Sequence, residues 1–76
     1  MNKKKIYQIE NLRIDSEFIF FQVDQIEYKF RLSEVSPRLA NASEKERSKY
    51  RVSPSGYGIH WDLIDEDLSI KGLIEQ

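Results

Sequence analysis

The chain has 76 residues, of which 39% are hydrophobic and 33% charged. A chain of that length buries about 60–65% of the surface its unfolded form exposes, which leaves a thin core and excludes an active site in a deep cleft between two domains. Lys and Arg number 12 against 13 Asp and Glu, a net charge of −1, so the overall balance asks for neither nucleic acid, membrane surface nor acidic partner.

Ile6, Ile9, Leu12 and Ile14, with polar residues between them, predict a first strand, favoured by their β-branched members. Asp15-Ser16-Glu17 reads as a turn. Phe18 to Val23 is a short apolar run, suited to a central strand covered on both faces. Asp24-Gln25 then closes a tight turn without the usual glycine. Ile26, Tyr28, Phe30 and Leu32 alternate with Glu27, Lys29 and Arg31, which predicts a strand with one apolar and one wet face. The first 32 residues thus read as an antiparallel meander.

Pro37 fixes a turn or opens a helix. Ser43 with Glu46 matches a capping box, and a helix from there to about Tyr50 is two turns long. Ser53-Pro54-Ser55-Gly56 is a turn cluster. Tyr57 to Trp61 predicts a last strand, with Tyr57, Ile59 and Trp61 on one face and Gly58 and His60 on the other. Asp62 to Asp67 reads as an acidic loop, and Ser69 caps a final helical turn. The expected fold is a small single α+β domain spanning 1–76, a three- or four-stranded antiparallel sheet packed with one short helix and a C-terminal helical turn. Its expected core is Ile9, Phe18, Phe20, Val23, Tyr28, Phe30, Leu32, Leu39, Ile59 and Leu68.

Charge is unevenly spread. Arg38 to Arg51 holds five basic residues and two acidic ones, whereas Val52 onward holds Lys71 against Asp62, Asp65, Glu66, Asp67 and Glu75. The acidic segment beside Tyr57, His60 and Trp61 is the candidate contact surface for a basic protein partner, with Tyr57 or Trp61 as its aromatic anchor. Arg38, Lys45, Arg47, Lys49 and Arg51 form the alternative, a nucleic-acid surface interrupted by Glu44 and Glu46.

His60 with the neighbouring carboxylates has the residue types of a metal or acid–base site but not the spacing of one, so neither a metal nor a catalytic role is expected. Gly56-Tyr57-Gly58 lacks the further glycine, the lysine and the following helix of a phosphate loop. No G-x-S-x-G is present. Without cysteine there is no disulfide, no thiolate metal site and no thiol nucleophile, and a cytoplasmic location is expected. No apolar run approaches the about 18–20 residues that cross a bilayer, and Lys3-Lys4-Lys5 precedes no secretory h-region.

The segment Pro37-Arg38-Leu39-Ala40-Asn41-Ala42, then Glu46-Arg47, Gly56-Tyr57-Gly58-Ile59-His60-Trp61, Asp65-Glu66-Asp67-Leu68-Ser69-Ile70 and Gly72-Leu73, resembles the bacterial family catalogued as domain of unknown function 2442, in its short form. The match covers about half the chain. Asp24-Gln25, Ser36 and Asp62 depart from the family's usual Asp-Gly, aromatic and Pro. The resemblance implies a small α/β fold and no established activity. Short members are similar to the partner encoded beside another small protein, which implies a toxin–antitoxin-like pair. The expectation is therefore a non-catalytic protein-interaction module without cofactor, antitoxin-like, with a small basic partner. Nucleic-acid binding through 38–51 is the alternative, and a homodimer is allowed.

Overall fold

The computed structural model describes residues 8–54 and 57–75. Strands β1 (Ile9–Ile14), β2 (Phe18–Val23) and β3 (Ile26–Arg31) form the expected antiparallel meander, in the order β1-β2-β3. Local chemistry sets both connections. Asp15 Oδ1 accepts the amides of Phe18 at 2.7 Å and Glu17 at 2.8 Å, and these bonds hold its carboxyl below the usual range. Asp24 and Gln25 both have positive φ, 54° and 68°, as a type I′ hairpin turn requires. Asp tolerates that conformation, while Gln25 adopts it at a cost of about 1–2 kcal/mol.

The register of β2 against β3 decides which apolar residues form the core. Ile19 faces Phe30, Phe21 faces Tyr28 and Val23 faces Ile26. A period of two therefore sends Ile19, Phe21 and Val23 inward together with the apolar face of β3. Phe21 stacks between Tyr28 and Phe30, with ring centroids 5.5 Å and 5.9 Å away. Phe18 and Phe20, expected in the core, stand on the opposite face and are only half-buried. The run FIFFQV is apolar at both parities, so composition could not choose its inner face. The cross-strand partners choose it.

Three short helices follow: α1 (Leu32–Val35), α2 (Pro37–Ala40) and α3 (Glu44–Ser48). Leu32, read as the end of β3, instead opens α1 and is buried. Pro37 occupies the first turn of α2, where its missing N–H costs nothing. At α3 the capping box forms as expected: Ser43 Oγ accepts the Glu46 amide, and Glu46 Oε1 accepts the Ser43 amide. This helix ends before Tyr50.

A second antiparallel sheet holds β4 (Tyr50–Val52), β5 (Gly58–Trp61) and β6 (Glu66–Ser69), in the order β4-β5-β6. Helix α4 (Ile70–Ile74) starts at Ser69, whose Oγ accepts the Gly72 amide at 2.9 Å. The class is α+β, and among the described residues six strands are divided between two sheets. Two strands fall where the sequence predicts none: β4 begins at Tyr50, the expected end of a helix, and β6 begins within the expected acidic loop and runs to the cap at Ser69. Their own residues, YRV and EDLS, carry little strand signal; pairing with β5 specifies them. The expected turn at Ser53 to Gly56 lies partly outside the described residues.

Both sheets contribute to one apolar cluster of Ile19, Phe21, Val23, Leu32, Leu39, Ile59, Trp61, Leu68, Ile70 and Leu73, with Ile9, Tyr28 and Phe30 half-buried against it. Ser36 joins helix to sheet beneath it. Its buried Oγ accepts the Leu39 amide at 3.1 Å and donates to Glu66 Oε2 at 2.5 Å. Among the described residues no helix is long and apolar enough to cross a membrane.

The parity of β2 predicts unequal costs for neighbouring phenylalanines. Phe21→Ala should destabilise by about 3–5 kcal/mol, and Phe20→Ala by about 1–2 kcal/mol, as for a half-buried ring with a cation over it. Urea unfolding of the two variants measures both; equal costs would contradict the assigned inner face.

Candidate functional site

Alternation along β5 sorts the second sheet into two faces. Ile59 and Trp61 point inward and are buried; Gly58 and His60 point outward. The register places Arg51 on β4 and Asp67 on β6 directly opposite His60, so the three make one row across the outer face. Nδ1 of His60 lies 2.7 Å from Asp67 Oδ1, and Nε2 lies 3.0 Å from Asp62 Oδ1. The Arg51 guanidinium donates to that same Asp62 oxygen at 2.9 Å.

Both ring nitrogens of His60 thus face carboxylates, which suits an imidazolium donating from each side. The hydrogen bond to Asp67 raises the pKa of His60 above its ordinary 6.5. The negative charges of Asp67 and Asp62 act in the same direction, while desolvation and the Arg51 guanidinium oppose them. While protonated, the ring has no lone pair with which to take a proton from a substrate.

Beside the row runs an open groove of about 780 Å³. Val52, Pro54, Tyr57 and Leu68 give it apolar surface, and Arg51, His60 and Asp67 line it with charge. Gly58 is required where β5 meets β6. A Cβ there would come within 3.0 Å of the Leu68 carbonyl oxygen, so the strands pair closely only without one. At the end of the groove Ser53 Oγ accepts the amides of Tyr57 and Gly58, at 3.0 Å and 3.2 Å, and so fixes the approach of Tyr57.

The seven residues expected to bind a partner separate, and Tyr57, expected on the face of Ile59 and Trp61, precedes β5 and is exposed instead. Tyr57, His60, Asp62 and Asp67 are brought together at this surface. Trp61 is not: it is fully buried, and its Nε1 donates to the Arg47 carbonyl at 3.0 Å, so it cannot serve as an exposed anchor. Glu66, opposite Trp61 on the inner parity, is occupied by Ser36 and by the amide of Asp67. Asp65 is exposed in the β5–β6 turn, with φ of 51°.

The basic segment is not one patch. Arg38 donates to the carbonyls of Ile64 and Asp65 and fastens that turn to α2. Arg47 is half-buried and donates to the Ala42 carbonyl. Arg51 belongs to the row. Lys45 and Lys49 are exposed at α3 and its C-terminus. Arg51 as a groove residue was missed because its place depends on β4 being a strand. Among the described residues no group of His, Cys, Asp or Glu is arranged to hold a metal ion.

The raised pKa fixes the sign of a pH effect. The folded state holds the His60 proton more tightly than the unfolded state, so the contribution is complete below about 6.5 and is lost as pH rises through the folded value. Urea unfolding across this range should show stability falling with pH, and His60→Gln should flatten that part of the curve. A wild-type profile matching that of the variant would contradict the pairing of His60 with Asp62 and Asp67.

No curated protein matches the chain. Among solved structures it is similar to a protein of unknown function from Rhodospirillum rubrum ATCC 11170. The identity is 24% and the TM-score 0.71, over 93% of this chain and 88% of that one, a likeness that shows a shared fold. The sequence pattern of the family described as "Protein of unknown function (DUF2442)" matches residues 9–76. With both the C-terminal motif and the meander inside that match, the chain belongs to the DUF2442 family.

Proposed function

We propose that the chain is a non-catalytic protein-interaction module whose outer sheet face holds a basic segment of a partner protein. The observation that carries this reading is the groove itself, in which apolar surface lies beside the exposed carboxylate of Asp67, with that of Asp62 held next to it by His60 and Arg51. Their present partners are Arg51 and His60. Exposed ion pairs of this kind contribute about 0–1 kcal/mol each, so a partner's Arg or Lys can replace them at little cost. Tyr57, 38% exposed at the groove, supplies aromatic area for the stem of that residue.

A small basic protein is the occupant that fits, which agrees with the antitoxin-like pairing the family resemblance implies. A catalytic reading has less support, because His60 is held on both nitrogens. Nucleic-acid binding through residues 38–51 also has less, because Arg38, Arg47 and Arg51 each have an intramolecular role.

His60 makes the interaction pH-dependent. Below its raised pKa the imidazolium competes with an incoming cation for Asp62 and Asp67; above it the two carboxylates stand against Arg51 alone. Partner binding should therefore strengthen as pH rises past that value. The test is capture from nuclease-treated lysate of the source cells, quantified by mass spectrometry. A small basic protein should be retained by the wild type and by Lys45→Gln/Lys49→Gln, and depleted about tenfold or more by Asp62→Asn/Asp67→Asn. Equal retention by the carboxylate variant, or loss of capture on nuclease treatment, would overturn the proposal.

A further inference from the structure

The first sheet presents a second surface, chemically unlike the groove. On the outer face of β1–β3 the rings of Phe18 and Phe20 lie side by side, with centroids 6.0 Å apart. Three cations stand over them. The Arg13 guanidinium is 4.7 Å from the Phe20 centroid, the Lys29 ammonium 4.2 Å from Phe18 and 5.6 Å from Phe20, and the Arg31 guanidinium 4.8 Å from Phe18. The register explains the array: Phe20 sits between Arg13 and Lys29, and Phe18 opposite Arg31. Among the described residues no carboxylate forms an ion pair with any of the three. Glu10 and Glu27 flank Gln22 at the other end of this face, and Glu17, which borders a shallow hollow with Arg31, forms no ion pair with it. The carboxylate of Asp15 accepts the amides of its own turn and feels the charge of Lys29 without pairing with it.

We propose that this face binds single-stranded nucleic acid, with bases stacked on Phe18 and Phe20 and phosphates held by Arg13, Lys29 and Arg31. Charge complementarity selects a polyanion, since the three cations share one end of the sheet and, among the described residues, none is at ion-pair distance from a carboxylate. The rings select among polyanions. An acidic peptide has a use for the cations and none for two adjacent aromatic faces, whereas a single strand uses both. Stacking of a base on a ring is stronger than an exposed cation–π contact, so a base displaces the cations, and their flexible stems carry the charges to the neighbouring phosphates. Duplex nucleic acid, with its bases already stacked, cannot use the rings. This surface lies on the other sheet from the groove and does not depend on the reading of that site.

Fluorescence anisotropy with labelled mixed-sequence RNA and DNA oligonucleotides tests the proposal on the full chain. Binding at low salt should weaken as salt rises, with a log–log slope of about −2 for three phosphates at about 0.7 each. Arg13→Gln/Lys29→Gln/Arg31→Gln should abolish binding. Phe20→Leu should weaken it about tenfold, as for loss of one stacked base, and Lys45→Gln/Lys49→Gln should leave it unchanged. A preference between RNA and DNA identifies the natural strand, and either supports the assignment. No binding at low salt, equal affinity for duplex, equal loss in the Lys45/Lys49 variant, or equal affinity for polyglutamate would each overturn it. Far-UV circular dichroism confirms that the charge variants, which touch no core residue, remain folded.

Discussion

The burial of Trp61 organises the second half of the molecule. Its indole lies wholly inside, donates to the Arg47 carbonyl, and packs near Tyr50 with ring centroids 6.2 Å apart. One residue of β5 thereby holds the end of α3 and the start of β4. Because strand side chains alternate, fixing Trp61 and Ile59 inward also fixes His60 outward. Cross-strand pairing then brings Arg51 and Asp67 to its sides. The charged row is thus a geometric consequence of the core, and a slip of one residue in β5 would bury it.

The same logic produces the chemistry of both outer faces. In the second sheet, the outward row pairs cations with carboxylates, so its charges are balanced and exchangeable beside an apolar groove. In the first, the inward set Ile19, Phe21 and Val23 leaves Phe18 and Phe20 outside, where the outward cations of β1 and β3 cover them. The two sheets share one core and present different chemistry to solvent: paired charges beside an apolar groove on one, cations over aromatic rings on the other. A chain with net charge −1 carries both because the charges are sorted by strand parity.

Much of this was legible in the sequence. The meander, the capping box at Ser43, the helix start at Pro37 and the cap at Ser69 each rest on local signals of residue type and spacing, and each formed. What was not legible depends on partners distant in sequence. Phe18 and Phe20 could not be told from Ile19 and Phe21 without the register against β3. Strands β4 and β6 carry charged residues and form because β5 lies between them. Of the candidate site, the neighbourhood of Tyr57, His60, Asp62 and Asp67 was read from composition. Trp61 and Glu66 were included only because they are neighbours in sequence, and alternation sends them to the other face. Arg51 belongs to the basic segment 38–51 in sequence, and only the pairing of β4 with β5 carries it to the row beside His60.

The central claim is that β5 holds His60 as an outward imidazolium between two carboxylates. Its most direct test is a pH titration of the His60 ring nitrogens by nitrogen-15 NMR, which reports each nitrogen separately. Both nitrogens should be protonated up to a pH above 6.5, and Asp67→Asn should lower the midpoint toward the ordinary value. An ordinary midpoint in the wild type, unmoved by that substitution, would contradict it.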